Sequence, residues 1–335
     1  MKKRGNVIVT GVTGQDGSYL AEKLLALGYD VIGTRRHTTT NSSEHHNLKS
    51  AHKIASAQNR QFTIVDLDLS CSSDIITLIK STQPAKIFNM AAQSHVGTSF
   101  LRPEYTLDVT GVGAARIFEA CLEHGPKSCK IYQASTSEMF GGTASNIPLK
   151  SNTPFNPKSP YAAAKVLAHN CASLYRNRGL FVSCGILFNH ESERRGLNFV
   201  TRKVTNAFAA IKLKKQTSIK LGSLWPRRDW GYASDYVDVM IASLDADEPR
   251  DFVVGTGVSR SIEDLVITAG KILNMSAEEA LSYVETDTSL IRPLEVENLI
   301  ADTDEAKIYY NWRAMTSFET MIDKMISNDL MLLAS

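Results

Sequence analysis

The sequence contains no long uninterrupted hydrophobic run, and its 335 residues carry a formal net charge of only +2. A helix that spans a bilayer needs about 20 consecutive apolar residues, so no membrane-spanning segment is expected. The basic start Met1-Lys2-Lys3-Arg4 resembles that of an export signal, but Gly11 interrupts the apolar stretch that follows. Basic tracts are absent as well, so neither nucleic acid nor a membrane surface is indicated as a partner.

Cysteine is also scarce. The five cysteines lack the paired spacing of a zinc site or a disulfide framework, which favours reduced thiols in a cytoplasmic protein. A cluster of four histidines has no cysteine or acidic ligand at regular spacing, so we expect solvated side chains and no bound metal at His37, His45, His46 and His52.

Short β-branched segments alternate with helical patterns in the first half of the chain. The predicted strands are Val7–Thr10, Val31–Thr34, Phe62–Val65, Ile87–Ala91, Lys130–Ala134 and Val182–Leu187. The predicted helices are Ser18–Ala26, Tyr105–Glu123 and Tyr161–Asn177. This alternation predicts an α/β, Rossmann-type fold with a doubly wound parallel sheet, in which ligands bind at the carboxyl ends of the strands.

The pattern loosens after Leu187. Helices are predicted there at Phe199–Ile211, Ser261–Leu273 and Phe318–Leu333. We therefore predict a dinucleotide-binding domain over residues 1–187 and a smaller, mainly substrate-binding lobe over residues 188–335. Chains of this kind often cross between the two lobes more than once.

A glycine-rich turn follows the first predicted strand. Gly11, Gly14 and Gly17 form a GxxGxxG pattern that opens a helix, with Thr13, Gln15 and Asp16 inside it. Glycine lets the backbone turn tightly and approach a pyrophosphate, which the helix N-terminus then binds. The pattern predicts a dinucleotide cofactor.

The end of the second strand indicates which dinucleotide. Proteins that prefer NAD usually carry an acidic residue here for the ribose 2′-hydroxyl, whereas this chain has Arg35 and Arg36. Arginine can bind a 2′-phosphate through paired, charge-assisted hydrogen bonds, so NADP is favoured. Asp68 and Leu69 are placed to contact the adenine. The segment that contains Ala91 and Ser94 is placed to contact the middle of the cofactor.

The catalytic pattern combines a strand end and a helix. The fifth predicted strand runs into Thr136, Ser137 and Glu138, and a later helix carries Tyr161 and Lys165 four residues apart on one face. A lysine ammonium favours the phenolate, which can take the proton from a sugar hydroxyl while hydride leaves. Thr136 is suited to orient that hydroxyl.

Taken with the Gly-rich turn, these segments resemble the GDP-mannose 4,6-dehydratase family of the extended short-chain dehydrogenases. The resemblance runs from Gly11 to about Lys324. The NHES, FVTRK and RDWG segments of this chain distinguish the family from general sugar epimerases. The matching segments are Gly11 to Leu20, Ala92 to Val96, Tyr132 to Glu138, Ser159 to Lys165, Gly185 to Ser192, Phe199 to Lys203, Arg228 to Gly231, Asp235-Tyr236 and Arg292 to Val296.

The resemblance implies an internal redox reaction on GDP-mannose. Hydride passes from C4 of the mannose to NADP, the resulting ketone acidifies C5, water is lost across C5 and C6, and the hydride returns to C6. Tyr161 suffices for hydride transfer, but an elimination also needs a group that moves protons at C5 and C6. We assign that role to Glu138.

The resemblance also implies the substrate contacts. Asn189, Lys203, Arg228 and Arg292 match positions that hold the nucleotide, and Glu295 would suit its ribose. Ser94, Ser137, Glu138 and Val200 complete the expected substrate site, and His190 and Arg195 are expected near the cofactor. Two stretches depart from the family: Thr38 to Leu48, which puts a tetramer contact in doubt, and Trp225-Pro226-Arg227 before Arg228.

Several alternatives remain open from the sequence. The same chemistry on another GDP-sugar, such as GDP-manno-heptose, and a bifunctional dehydratase and 4-keto reductase both fit these motifs. A non-catalytic dinucleotide sensor would be expected to lack Tyr161, Lys165 or Glu138, and all three are present. In this superfamily, the equivalents of Tyr105–Glu123 and Tyr161–Asn177 pair in a dimer, so a homodimer is expected, or a homotetramer if Arg194 and Arg195 reach a neighbouring subunit.

Overall fold

A computed structural model describes residues 4–36, 46–142, 147–291 and 294–334. Its strands are β1 (Asn6–Thr10), β2 (Asp30–Arg35), β3 (Phe62–Asp66), β4 (Lys86–Asn89), β5 (Lys130–Thr136), β6 (Phe181–Leu187), β7 (Asn189–Glu191), β8 (Ile219–Leu221), β9 (Arg227–Tyr232), β10 (Asp251–Val254), β11 (Ser259–Ser261) and β12 (Val284–Thr286).

Thirteen α-helices are present in the described residues. They are α1 (Gln15–Ala26), α2 (Lys49–Gln58), α3 (Ser72–Thr82), α4 (Val96–Leu101), α5 (Pro103–Thr106), α6 (Gly113–His124), α7 (Pro160–Asn177), α8 (Val200–Lys212), α9 (Ala233–Asp245), α10 (Ile262–Ile272), α11 (Ala277–Ser282), α12 (Asp304–Tyr310) and α13 (Phe318–Ala334). A π-helical segment, Leu107–Val112, joins α5 to α6, and a 3-10 turn, Ser137–Phe140, follows β5.

Seven strands form the main sheet, in the order β10-β6-β5-β4-β1-β2-β3. The pairs from β5 through β4, β1 and β2 to β3 are parallel. The Rossmann-type fold predicted from the sequence is confirmed. The strand order reverses between β1 and β4, and such a switch point opens a crevice at the carboxyl ends of the two strands.

Contacts divide the chain into two compact units. The first comprises residues 1–139, 159–186 and 237–252, and the second comprises residues 140–158, 187–236 and 253–335. The chain therefore returns to the first unit after residue 187, with most of α9 and the start of β10, and β10 is the edge strand of the main sheet. The assignment of cofactor to residues 1–187 and of substrate to residues 188–335 stays a prediction.

The predicted strands and helices all occur, with bounds shifted by up to three residues. The largest shortening is in β4, which was expected to reach Ala91 and ends at Asn89. The backbone N–H groups of Met90 and Ala91 instead donate to the hydroxyl of Thr10 at 3.0 Å. A side chain thus replaces the strand ladder as their partner.

The helical segment predicted as Tyr105–Glu123 has a local irregularity. Its π-helical part contains Gly111, where an added Cβ would lie 3.1 Å from the carbonyl oxygen of Ala164 and 2.8 Å from Leu167 Cδ2. Glycine therefore allows this segment to approach α7 closely. π segments of this kind are frequent near functional sites.

The second unit has a core of its own. It includes Phe208 of α8, Trp230 of β9 and Phe318 of α13, and the rings of Trp230 and Phe318 stack at 5.8 Å between centroids. Its small sheets have the strand orders β11-β9-β7 and β12-β8. Among the described residues, no helix is long and apolar enough to cross a bilayer.

Candidate functional site

The glycine turn lies at the switch point of the sheet. Gly11 follows β1 directly with φ of +66°, and an added Cβ would lie 3.1 Å from the Cα of Ala91. At Gly17, in the first turn of α1, an added Cβ would come 2.4 Å from the carbonyl oxygen of Gly11. Both positions therefore require glycine, one for its conformation and both for close approach.

This turn fits a dinucleotide pyrophosphate. The N-cap of α1 is Gly14, which has no side chain to satisfy the first N–H groups of the helix. Such N–H groups and the positive end of the helix dipole are suited to bind phosphate oxygens. Asp16 lies in the same helical turn, where its carboxylate accepts a hydrogen bond from Gln15 at 3.1 Å.

Arg35 and Arg36 have different surroundings. Arg35 Nε donates to the carboxylate of Asp66 at 2.8 Å, and β2 and β3 pair these two residues in register. Arg36 is exposed, donates to the hydroxyl of Tyr105, and lies over that ring at 6.0 Å. The guanidinium of Arg35 already has a carboxylate partner, so Arg36 is the better placed of the two to bind a further anion.

The other predicted cofactor residues lie at neighbouring strand ends. Asp68 accepts hydrogen bonds from the backbone and hydroxyl of Ser70 at 2.9 and 2.8 Å. Leu69 is buried and belongs to the hydrophobic core, so its side chain is occupied in packing. Ala91 is half-buried beside the glycine turn, and Ser94 is exposed.

Helix α7 presents the predicted tyrosine and lysine. Ser159 caps it by accepting from the backbone N–H of Ala162 at 3.1 Å, and Pro160 occupies the first helical position. Tyr161 and Lys165 are both buried on the same face. The ammonium of Lys165 lies 5.9 Å from the centre of the Tyr161 ring.

Lys165 is anchored to the catalytic strand. Its ammonium donates to the carbonyl oxygen of Ala134 in β5 at 2.7 Å. Burial lowers the pKa of Lys165 to about 8, and the carboxylate of Asp16 opposes that shift. The side chain is therefore still mostly charged at neutral pH, and it can stabilise a nearby phenolate.

The end of β5 continues into the 3-10 turn Ser137–Phe140. Thr136, Ser137 and Glu138 are all buried, at 9%, 1% and 9% exposure. The backbone N–H of Glu138 donates to the hydroxyl of Thr136 at 3.3 Å, so the turn folds back on the strand end. Thr136 and Glu138 thus follow the residue whose carbonyl group holds Lys165, Ala134, by two and four positions.

The second unit brings together two predicted substrate residues. Arg228 is 7% exposed, donates to the carbonyl oxygen of Val296 at 2.8 Å, and lies 3.5 Å from the carboxylate of Glu295. Asn189 pairs with Trp230 in the register of β7 and β9. Arg292 lies outside the described residues.

Other predicted residues of this unit have close partners of their own. Arg195 forms a 3.0 Å ion pair with Glu191 and lies 3.6 Å above the Phe199 ring. His190 stacks on Tyr236 at 4.7 Å between ring centroids. Val200 begins α8, and Lys203 lies in its first turn. Hydrogen bonds from Ser289 lower the pKa of Asp287, and the charges of Lys220 and Lys203 add to that shift.

A family model described as GDP-mannose 4,6 dehydratase matches residues 8–325. The chain belongs to the GDP-mannose 4,6-dehydratase family. It is 41% identical to GDP-mannose 4,6 dehydratase 2 of Arabidopsis thaliana, over 98% of this chain and 88% of the relative. It is 40% identical to the GDP-mannose 4,6 dehydratase of Homo sapiens, over 99% and 93% of the two chains. The family predicted from the sequence is confirmed.

Several solved structures share this fold. UDP-glucose 4-epimerase from Thermotoga maritima, solved with UDP-glucose, matches with a TM-score of 0.82 and 20% identity, over 98% of this chain and 99% of that one. dTDP-glucose 4,6-dehydratase from Bacillus anthracis, solved in complex with NAD, matches with a TM-score of 0.80 and 18% identity, over 97% of this chain and 96% of that one. These likenesses support the dehydratase family's fold.

Sequence reasoning missed several partners of the predicted site. Asp66 ends β3 beside Arg35, and only the register of β2 and β3 brings them together. Tyr105 holds Arg36 from 69 residues away. His169 lies one further turn along the Tyr161 and Lys165 face, and extending the i, i+4 spacing by one step would have identified it.

Proposed function

We propose that the chain converts GDP-mannose to GDP-4-keto-6-deoxymannose by internal hydride transfer and loss of water, with NADP as cofactor. The observation that carries this proposal is the end of β5, where Thr136 and Glu138 adjoin the carbonyl group that anchors Lys165. The helix that carries the acid–base pair Tyr161 and Lys165 is thus tied to the strand that ends in the buried carboxyl group of Glu138.

The first half of the reaction removes a proton and a hydride from C4. Tyr161 accepts the proton of the 4-hydroxyl, and the ammonium of Lys165 stabilises the phenolate that accepts it. Thr136 hydrogen-bonds the same hydroxyl and orients it. A bound nicotinamide supplies a hydride acceptor that is restored when the hydride returns to C6.

The second half is the elimination. The 4-ketone acidifies the hydrogen on C5, and the carboxylate of Glu138 removes that proton. The carboxyl group then protonates the departing 6-hydroxyl, which leaves as water. As the hydride returns to C6, C5 takes up one proton through Glu138, and Tyr161 gives up the proton that it took from the 4-hydroxyl, so the proton count closes. Burial of Glu138 at 9% exposure limits competing proton exchange with solvent.

Cofactor and substrate have distinct contacts in this proposal. The turn from Gly11 to Gly17 holds the pyrophosphate, with Asp68 and the Ala91–Ser94 segment along the nucleoside and nicotinamide. In the second unit, Arg228 with Lys203 and Arg292 offsets the negative charge of the GDP diphosphate. Glu295 accepts from the ribose hydroxyls, and Asn189, Val200 and Ser137 line the remainder.

Incubation with a panel of GDP-sugars tests the proposed activity. We expect GDP-mannose to lose one water, seen by mass spectrometry, with no net consumption of NADP. Faster loss of water from GDP-manno-heptose would instead assign the heptose as substrate. A further gain of two hydrogens with added NADPH would indicate a second, reductase activity. No loss of water from any GDP-sugar would reject the proposal.

The cofactor preference depends on Arg36. We expect NADP to bind at least ~tenfold more tightly than NAD, a difference of ~1.4 kcal/mol, because an exposed guanidinium can bind the 2′-phosphate. Arg36→Ala should remove most of that preference, whereas Arg60→Ala, at a half-buried arginine that follows α2 and donates to the carbonyl oxygen of Gln58 at 3.2 Å, should not. Calorimetry that finds equal affinities in the unchanged protein would contradict this expectation.

We propose that the chain forms a dimer through α4–α7. This face carries Leu101 and Leu174, which are 83% and 63% exposed, together with Leu107, Val112 and Leu167. A second copy of the same face would remove these side chains from water. Arg195 pairs with Glu191 within its own unit, and a tetramer contact through Arg194 and Arg195 stays a prediction.

Substituting this face should separate the subunits. Leu101→Glu with Leu174→Glu places charge in the proposed interface, and light scattering should then report the mass of a monomer. Ile308→Glu is the control, because Ile308 is 73% exposed on α12 of the second unit. A monomer in the unchanged protein, or dissociation by the control alone, would reject this interface.

A further inference from the structure

The buried face of α7 extends beyond the predicted tyrosine and lysine. Tyr161, Lys165 and His169 follow one another at intervals of four residues, so they lie on one face of the helix. All three are buried, with His169 only 5% exposed. A buried histidine needs partners for both ring nitrogens, and its partners show what it does here.

One partner belongs to the catalytic strand. The Nδ1 atom of His169 lies 2.9 Å from the hydroxyl oxygen of Ser135. Lys165, one turn earlier, donates to the carbonyl oxygen of Ala134. Two successive turns of α7 are therefore tied to two successive residues of β5, immediately before Thr136.

The other ring nitrogen faces the last strand of the sheet. Its Nε2 atom lies 3.6 Å from the carboxylate of Asp251 in β10. The other oxygen of that carboxylate accepts from Arg176, also on α7, at 2.5 Å. This pairing holds the Asp251 carboxylate in place. The carboxylate in turn faces the ring nitrogen of His169 that points away from Ser135.

His169, Cys184 and Asp251 also have the spacing of a metal site, with ligand atoms within 4.8 Å of one another. The guanidinium of Arg176 already pairs with the Asp251 carboxylate and would repel a cation.

Burial lowers the pKa of His169, and the charge of Asp251 opposes that shift. A neutral imidazole donates from one nitrogen and accepts at the other, which matches a carboxylate on one side and a hydroxyl on the other.

We propose that Ser135 and His169 are positioning residues that set the placement of Tyr161 and Lys165 relative to Thr136. This inference rests on the proposed dehydratase function. Ser135 and His169 act through α7 and β5, since both are buried, at 3% and 5% exposure. Their hydrogen bond stops α7 from sliding or turning along β5.

Loss of this hydrogen bond should reduce turnover more than binding. A displacement of about 1 Å at reacting groups can lower a rate by roughly a hundredfold, so Ser135→Ala should lower kcat by about ten- to a hundredfold. KM for the GDP-sugar should change less than about threefold, because its contacts in the second unit stay intact. His169→Phe should behave like Ser135→Ala.

A conservative variant separates positioning from bulk packing. In His169→Asn, the side-chain amide reaches the place of Nδ1 and can keep the hydrogen bond to Ser135, although it loses the ring. We expect it to recover a substantial part of the kcat that His169→Phe loses. Ser183→Ala is the matched control, because Ser183 is a fully buried serine of neighbouring β6 that accepts from the backbone of Arg250.

A second measurement requires neither bound cofactor nor catalytic activity. Amide hydrogen exchange of the cofactor-free protein, followed by mass spectrometry, should speed up over residues 161–169 in Ser135→Ala and His169→Phe. Exchange over α8 should be unchanged in both, and Ser183→Ala should leave residues 161–169 as protected as before. Should His169→Phe fail to fold, His169→Asn and Ser135→Ala still provide the comparison.

The outcomes distinguish this inference from the proposed function. If the unchanged protein and Ser183→Ala remove no water from any GDP-sugar, the proposed function fails. If they do, and Ser135→Ala keeps the same kcat and the same exchange over residues 161–169, the positioning role is rejected. A Ser135→Ala protein with a lower Tm but unchanged kcat would show a purely structural hydrogen bond and would also overturn it.

Discussion

Glu138→Gln is expected to remove hydride from GDP-mannose and yet to form no deoxy-sugar. The amide keeps the size of the carboxyl group but cannot take the C5 proton or pass it to the 6-hydroxyl. Overall turnover should fall by at least roughly a hundredfold, the scale of losing a general acid or base. Under single-turnover conditions, near-ultraviolet absorbance should rise while mass spectrometry detects no loss of water.

Tyr161→Phe should block both steps. Without the phenol, no group accepts the proton of the 4-hydroxyl, so neither the absorbance rise nor the loss of water should occur. Glu104→Gln serves as the control, because Glu104 is an exposed carboxylate of α5. Solvent deuterium adds a further check, since incorporation at C5 should depend on Glu138.

Two results would overturn this division of labour. If Glu138→Gln removes water at a near-normal rate, its carboxyl group is structural and another group is the base. If that variant binds the GDP-sugar but gives no absorbance rise, Glu138 already acts in the first half of the reaction.

Arg202→Met is expected to destabilise the second unit strongly. Arg202 of α8 and Asp329 of α13 form a buried ion pair, with Nε–Oδ1 at 2.9 Å and side-chain exposures of 8% and 0%. Arg202 also donates to the carbonyl oxygen of Arg195 at 3.1 Å. Removing it leaves a buried carboxylate uncompensated, which typically costs about 3–5 kcal/mol of unfolding free energy.

Tryptophan fluorescence can follow this loss in the second unit alone. All three tryptophans, Trp225, Trp230 and Trp312, belong to that unit, so their emission reports its unfolding in urea. Lys150→Met is the control in the same unit, because Lys150 is 55% exposed where it pairs with Asp302 at 3.5 Å, and solvated pairs contribute little. Equal urea midpoints for the two variants would show that the ion pair is not needed for stability.

The cofactor half of the site was largely predictable from local sequence. Gly11 needs a positive φ, and Gly17 must avoid the carbonyl oxygen of Gly11. Both requirements arise within seven residues of one strand–turn–helix unit, so their spacing along the chain carries the information. Strand alternation is equally local, and it predicted the six strands of the first half.

The catalytic residues needed only one long-range assumption. Tyr161 and Lys165 share a helix face because of their spacing, and Thr136 and Glu138 end a strand. A parallel sheet with helices packed on it then brings that face against the strand. The Lys165–Ala134 hydrogen bond is the detail that joins them.

By itself, the sequence determined the fold class, the family, the glycine turn and the order of the proposed catalytic groups, since each depends on residues close together in the chain. Only the tertiary structure decided that Arg35 is paired with Asp66 while Arg36 is held by Tyr105. It also decided that residues 237–252 return to the first unit and bring Asp251 beside His169. These contacts join residues 31 to 82 positions apart, and strand register and helix packing, which bring them together, leave no local pattern in the sequence.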